Sequence, residues 1–515
     1  MKIKKLFLVV GLLVFNSLLP AFAYTEIANK EELRQRLGSL SPSTDLSHIK
    51  VAILDNGFEG FIPNKGMLPD SAELIEGPLR IPSRSSHGLG MAQILWTITG
   101  QSANGPKIYL VNSNGFTNFK AAVDFVVNNN VDIVLYSQVW LLGGNFDGKG
   151  FINKVVNKAT DKGVIWINAA GKLGGHVYSG GVTGSLMKFR LQNKLDENNF
   201  TVTLVWNDFT NNESDCTSKD LNLEILDLNN NVVQVSELIQ QGQAPDLRNP
   251  ADTRSCHARE SISVKALERG EYQIRVVAKT TNFGSQDKFK VMISDDRPES
   301  LEFTDHTVGY EILPPADNEN VITVGDQSSL SSVGPTSDGR IKPDFLIANT
   351  KVSFTNGNLT FGSSNAAAML AGSLATIMSH KSGITSKALF SYAQSLRQSY
   401  AIPGGLVTAP VPYWIQNYVP AGGLVRFHPT TGRAIIFSKE APLSLPQISR
   451  FNLRLIRHDD IVACDEFLVS CGLYPQTQDL YLRPPLVEFR QYLKGSNGGR
   501  PGVWSDSQQI LDILK

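Results

Sequence analysis

The sequence predicts an α/β protein, a mostly parallel sheet with helices on both faces, interrupted by an antiparallel β-sandwich. Three observations predict it. Short apolar strands alternate with helices from about Asp45 to Ala170. From Phe200 the spacing changes to alternating apolar and polar residues, the period of half-buried strands. The strand–helix alternation resumes at Val321 and runs through a long small-residue helix, Ser364 to His380.

Residues 1–23 read as a secretory signal peptide. Lys2, Lys4 and Lys5 give a positive start, Leu6 to Phe15 is an apolar run, and Ala21-Phe22-Ala23 is a small-x-small cleavage site. Asn16, Ser17 and Pro20 cut the run short of a spanning helix, so cleavage before Tyr24 is expected, with no membrane anchor afterwards. The expected location is secreted or periplasmic. Lys plus Arg and Asp plus Glu both total 48, and no basic stripe stands out, which argues against a nucleic-acid partner. A hydrophobic share of 42% argues against disorder and is ample for packed cores.

The first α/β part is expected over residues 24–184. Ile49 to Leu54 reads as a buried strand ending at Asp55-Asn56-Gly57, and Gly88 to Thr99 as a helix opening at His87. Lys107 to Val111, Val131 to Tyr136 and Gly163 to Ala170 read as further strands, with helices at Phe119 to Val127 and Gly150 to Lys162. Asp55, Ser137 and Gly171 thus fall at the carboxyl ends of strands, where such sheets bind ligands. The sandwich is expected over 185–296, with inward positions such as Val202, Leu204, Trp206, Ile274 and Val291. A second α/β part follows over 297–403. Residues 404–515 have no assignable architecture, although Val425 to Phe427 and Ala434 to Phe437 read as strands.

Export changes the reading of the four cysteines, since an even number outside the cytoplasm suggests two disulfides with three pairings open. Proximity in the chain favours Cys216–Cys256 and Cys464–Cys471. Zinc is the competing reading, but neither a CxxC pair nor an HxxxH spacing is present, so no metal is expected on that ground.

Three polar residues stand where regular elements begin or end: Asp55 after a strand, His87 before a helix, and Ser364 before a second helix within Gly362-Ser363-Ser364-Asn365-Ala366-Ala367-Ala368. A serine hydroxyl is a poor nucleophile until an imidazole takes its proton, and the imidazole needs a carboxylate to fix its tautomer. A helix N-terminus under Ser364 adds N–H groups and positive dipole near a developing oxyanion. Singly these are a common turn, a common helix start and a packing serine. In the order Asp, His, Ser they resemble the subtilisin-like serine peptidases.

That resemblance extends over about Lys50 to Lys381, with the sandwich as an insertion. Val51-Ala52-Ile53-Leu54-Asp55 looks like the family's Asp strand, and His87-Gly88 like the start of its His-Gly-Thr motif. The most specific match is Val321-Ile322-Thr323-Val324-Gly325, followed by Ser331 to Asp344 shortly before Gly362-Ser363-Ser364. The resemblance implies catalytic roles for Asp55, His87 and Ser364, substrate-backbone pairing at Ser137, and a protein or peptide substrate. It also assigns the side-chain oxyanion donor to the position of Lys172, where the family carries Asn. Losing such a donor typically costs about 100- to 1,000-fold in turnover. Other departures are Asn56, Leu89, Ser363, Ala368 and the Gln138-Val139 pair after Ser137.

The sandwich is similar to jelly-roll modules that accompany some family members, on Val205-Trp206-Asn207-Asp208 and Asp220-Leu221-Asn222-Leu223. In such modules acidic loops bind calcium; an ordinary solvated turn is the reading favoured here. The expected function is an exported serine endopeptidase of weak activity. The alternative is a degenerate subtilisin-like protein that binds peptides or proteins.

Overall fold

The structure is a computed structural model. It describes residues 26–391, apart from 38–44, 245–251 and a few shorter breaks, and beyond them only four short strands. The signal peptide, Cys464–Cys471 and most of 404–515 therefore lie outside the described residues. The strands beyond are Leu406–Val407, Leu424–Phe427, Ala434–Ser438 and Ile456–Arg457, which form one four-stranded sheet.

In chain order, the first part comprises α1 (Lys30–Leu37), β1 (Lys50–Asp55), β2 (Glu73–Ile75), α2 (His87–Ile98), β3 (Lys107–Asn112), α3 (Phe116–Asn128), β4 (Ile133–Tyr136), α4 (Phe151–Thr160) and β5 (Ile165–Ala169). Nine strands follow: β6 (Val177–Gly181), β7 (Leu186–Asn193), β8 (Asn198–Trp206), β9 (Leu221–Leu226), β10 (Val232–Ser236), β11 (Arg259–Leu267), β12 (Gly270–Ala278), β13 (Lys288–Ser294) and β14 (Leu301–Phe303). The chain then returns to the first sheet with β15 (Ile322–Asp326) and β16 (Phe345–Ile347). A short hairpin, β17 (Val352–Ser353) and β18 (Leu359–Thr360), leads into α5 (Ser363–His380).

The first sheet has the order β16-β15-β5-β4-β1-β3-β2, and every pairing in it is parallel. Successive side chains along a strand face opposite sides. Val51 and Ile53 accordingly join the core beneath α1, α2 and α5, while Ala52 and Leu54 join the core beneath α3 and α4. From β1 the chain passes to β3 on one side and to β4 on the other. The crevice at the carboxyl ends of β1 and β4 is thus a topological switch point, the place where open α/β sheets bind ligands.

The small residues of α5 have a packing cause. Ala366, Ala367, Ala368 and Ala371 are fully buried. A methyl group on Gly372 would lie 3.0 Å from both the Leu95 carbonyl and the Ile98 Cβ of α2. Larger side chains would hold the two helices apart, so this run sets their close approach.

The insertion is an antiparallel sandwich of sheets β10-β9-β12-β7-β14 and β11-β8-β13-β6. Its strands extend past both expected bounds, 185 and 296. The added strands were hard to read: β6 ends in Tyr178-Ser179-Gly180-Gly181 without apolar alternation, and β14 has only three residues. The disulfide Cys216–Cys256 is formed, with Cα atoms 4.0 Å apart. The sandwich docks on the α4 side of the parallel sheet, where the Asn145 side chain exchanges hydrogen bonds of 2.8 and 3.0 Å with the Phe209 backbone. Phe209 also meets Phe151 of α4, at 5.8 Å between ring centroids. One apolar core runs from α3 and α4 into the sandwich interior, leaving α2 and α5 on the other face.

Candidate functional site

Asp55 is the last residue of β1 and is fully buried. Its Oδ2 lies 2.7 Å from Nδ1 of His87, the first residue of α2. Its Oδ1 accepts the Asn56 N–H at 2.8 Å and the Gln138 Nε2 at 3.3 Å. With a carboxylate on its Nδ1 side, the imidazole carries its proton there and turns Nε2 outward as a base. Gly88 makes the pairing possible. A Cβ at that position would lie 2.6 Å from the Asp55 Cβ and 2.4 Å from Phe58 Cε1, so only glycine lets α2 begin this close to β1.

The pKa of His87 is raised. Burial opposes charging the ring and is the largest single influence, but the hydrogen bond that the ring donates to Asp55 and the negative charge of that carboxylate together outweigh it. The Lys172 ammonium acts in the opposite direction and lowers it.

Ser364 lies in the first turn of α5, where backbone N–H groups have no acceptor within the helix. Its hydroxyl donates to the Ser137 carbonyl at 3.2 Å, just past the end of β4. Leu54 and Tyr136 are paired in register, so Asp55 and Ser137 stand side by side at the edge of the sheet. His87 is thus hydrogen-bonded to Asp55, and Ser364 to Ser137. Among the described residues none joins His87 to Ser364, because the serine hydroxyl is engaged by the Ser137 carbonyl. Ser137 itself is buried, and its own hydroxyl has no partner among the described residues.

Lys172 follows the carboxyl end of β5. Its backbone is held on both sides: Gly171 exchanges hydrogen bonds of 3.0 and 3.2 Å with the Ser363 hydroxyl, and Leu173 N–H donates to Ser332 Oγ at 2.9 Å. Gly171 adopts φ 102°, which a side chain would strain. The Lys172 side chain is exposed. An exposed long stem lets its ammonium stay in water, since burying an unpaired one is costly.

Two of the departures have roles that the sequence does not reveal. The Gln138 amide turns in to Asp55. The Ser363 hydroxyl ties the N-terminus of α5 to Gly171. A polar side chain at the end of a fully buried strand was the available signal for Gln138. The residues around Asp208 do not fit a calcium ion: the Lys219 ammonium takes the cation's place, 3.2 Å from Asp208 and 2.7 Å from Asp287. Among the described residues no three His, Cys, Asp or Glu side chains gather as a metal site.

No family model matches the sequence, and no curated protein matches it. Solved structures do. The CspB protease of Clostridium perfringens is 15% identical with a TM-score of 0.47, over 74% of this chain and 95% of that one. MycP1 from Mycobacterium smegmatis is 13% identical with a TM-score of 0.31, over 73% and 78%. A cold-adapted subtilisin-like serine proteinase is 13% identical with a TM-score of 0.33, over 72% and 93%. In fold, this chain is similar to subtilisin-like serine proteases.

Proposed function

We propose that the chain is an exported serine endopeptidase of weak activity. The observation that carries this reading is the 2.7 Å pairing of His87 with the buried Asp55 carboxylate, at the sheet edge that also receives Ser364. Ser364 leaves the Ser137 carbonyl, gives its proton to His87 Nε2 and attacks a peptide carbonyl; His87 then protonates the leaving amine. Asp55 holds the imidazole's tautomer and balances its positive charge. Backbone N–H groups at the start of α5 stabilise the tetrahedral oxyanion. Activity is weak because an exposed Lys172 stands where an amide donor would serve. Export is supported by the character of residues 1–23 and by the Cys216–Cys256 disulfide.

A second reading, a peptide-binding protein without hydrolysis, is favoured by the Ser364–Ser137 hydrogen bond. A fluorophosphonate probe separates the two. Labelling of the mature protein that disappears in Ser364→Ala supports the peptidase; absence of labelling across the neutral and alkaline range supports the binding protein.

A further inference from the structure

The geometry points to Gln138 as a positioning residue that orients the Asp55 carboxylate toward His87. This inference rests on the reading of Asp55 and His87 as catalytic partners and goes beyond it. Asp55 is fully buried and has two acceptor oxygens with separate duties. Oδ2 faces His87 alone, while Oδ1 is held by the Asn56 N–H and the Gln138 amide. One backbone donor fixes the position of Oδ1 but leaves the carboxylate plane free to rock about it. A second donor, arriving from β4 instead of β1, fixes the plane and with it the direction of the Oδ2 lone pair. Among the described residues, Gln138 is the side-chain donor to that oxygen.

Gln138 is itself braced. Its carbonyl accepts the Asn168 Nδ2 at 3.0 Å, and Asn168 is anchored by the Trp166 indole N–H at 3.1 Å. The preceding residue, Ser137, holds the Ser364 hydroxyl through its carbonyl. Two consecutive residues at the end of β4 thus touch both ends of the Asp–His–Ser set, the amide of one and the carbonyl of the other. With its amide turned in to Asp55, the Gln138 side chain is also committed away from the edge along which a substrate backbone would pair.

The test is Gln138→Met, which keeps the length of the side chain and removes the donor. The charged and titratable groups that influence the pair, Lys172 on His87 and Asp55 on Tyr136, are unchanged in this variant. Proton NMR of His87 reads the geometry whether or not the protein is an enzyme. Wild type should show a downfield Nδ1–H resonance. In Gln138→Met that resonance should broaden or move upfield, and the imidazole midpoint should move from its wild-type position. The fluorophosphonate labelling rate of Ser364 should fall severalfold at unchanged melting temperature. Gln138→Glu is the second variant: two carboxyl groups so close cannot both ionise, so the retained proton keeps a donor to Asp55 and the resonance should stay nearer wild type than in Gln138→Met. An unchanged resonance and midpoint in a folded Gln138→Met overturns the inference. Should wild type fail to label while the NMR changes appear, the positioning role stands and the peptidase reading falls.

Discussion

Replacing Asp55 by Asn puts the proposed chemistry to its most direct test, because the structure dictates which way the new amide must turn. Oδ1 accepts two N–H donors, from Asn56 at 2.8 Å and Gln138 at 3.3 Å. An NH2 group there would confront both, and the Asn56 N–H belongs to the backbone and cannot turn away. The Asn carbonyl therefore takes the Oδ1 place and its NH2 faces His87 Nδ1. That amide donates where the carboxylate accepted, which forces the ring proton onto Nε2 and removes the base that Ser364 needs. A carboxylate-to-amide change of this kind costs about 10⁴-fold in turnover, or about 5.5 kcal/mol of transition-state stabilisation. The assay is the rate of fluorophosphonate labelling of Ser364 across pH, with the melting temperature as a control for folding. The titration midpoint should also fall, since burial and Lys172 remain to oppose charging while the influences that raised the pKa are gone. A pKa raised on folding means that protonated His87 stabilises wild type in full below the unfolded value. That stabilisation is lost as pH rises through the folded value, and in Asp55→Asn, whose folded midpoint falls below the unfolded one, the dependence should reverse. A loss of less than about tenfold in a folded Asp55→Asn, with the midpoint unmoved, would refute the tautomer reasoning.

Three further outcomes are expected. Lys172→Asn should raise turnover of a peptide ester and move the His87 midpoint upward, because a cation leaves and an amide donor arrives; a fall of about tenfold or more would show that Lys172 is a working donor. Gly88→Ala should destabilise the protein by about 1–3 kcal/mol in urea unfolding and weaken the His87–Asp55 signature in NMR, as a methyl group cannot fit between Phe58 and Asp55. Wild-type stability and spectra in that variant would mean that α2 can begin farther from β1. Replacing Cys216 and Cys256 together by Ser should cost the sandwich about 4 kcal/mol, the chain-entropy value for a separation of 40 residues; an unfolding midpoint unmoved in urea would count against it.

The apolar periods of the sequence determined much of this protein. Buried runs such as Val51 to Leu54 can only be satisfied inside a sheet covered on both faces, so the α/β class was legible, as was the change to an alternating sandwich. The candidate site was legible in part, because Asp55, His87 and Ser364 each mark the end or start of a strongly patterned element. Edge elements were not legible: β2, β6 and β14 are short and lack a clear period, so their pairing depends on a neighbour already in position. The same reason hid the second role of β4. Whether Gln138 reaches a substrate edge or turns to Asp55 depends on how β4 lies against β1, a relation between strands separated by the whole of α2, β3 and α3. Only the folded sheet decided that Lys172 stands in water, and that Ser364 rests on Ser137 and not on His87. Local sequence sets which residues can ionise, donate or accept; distance across the sheet sets which of them meet.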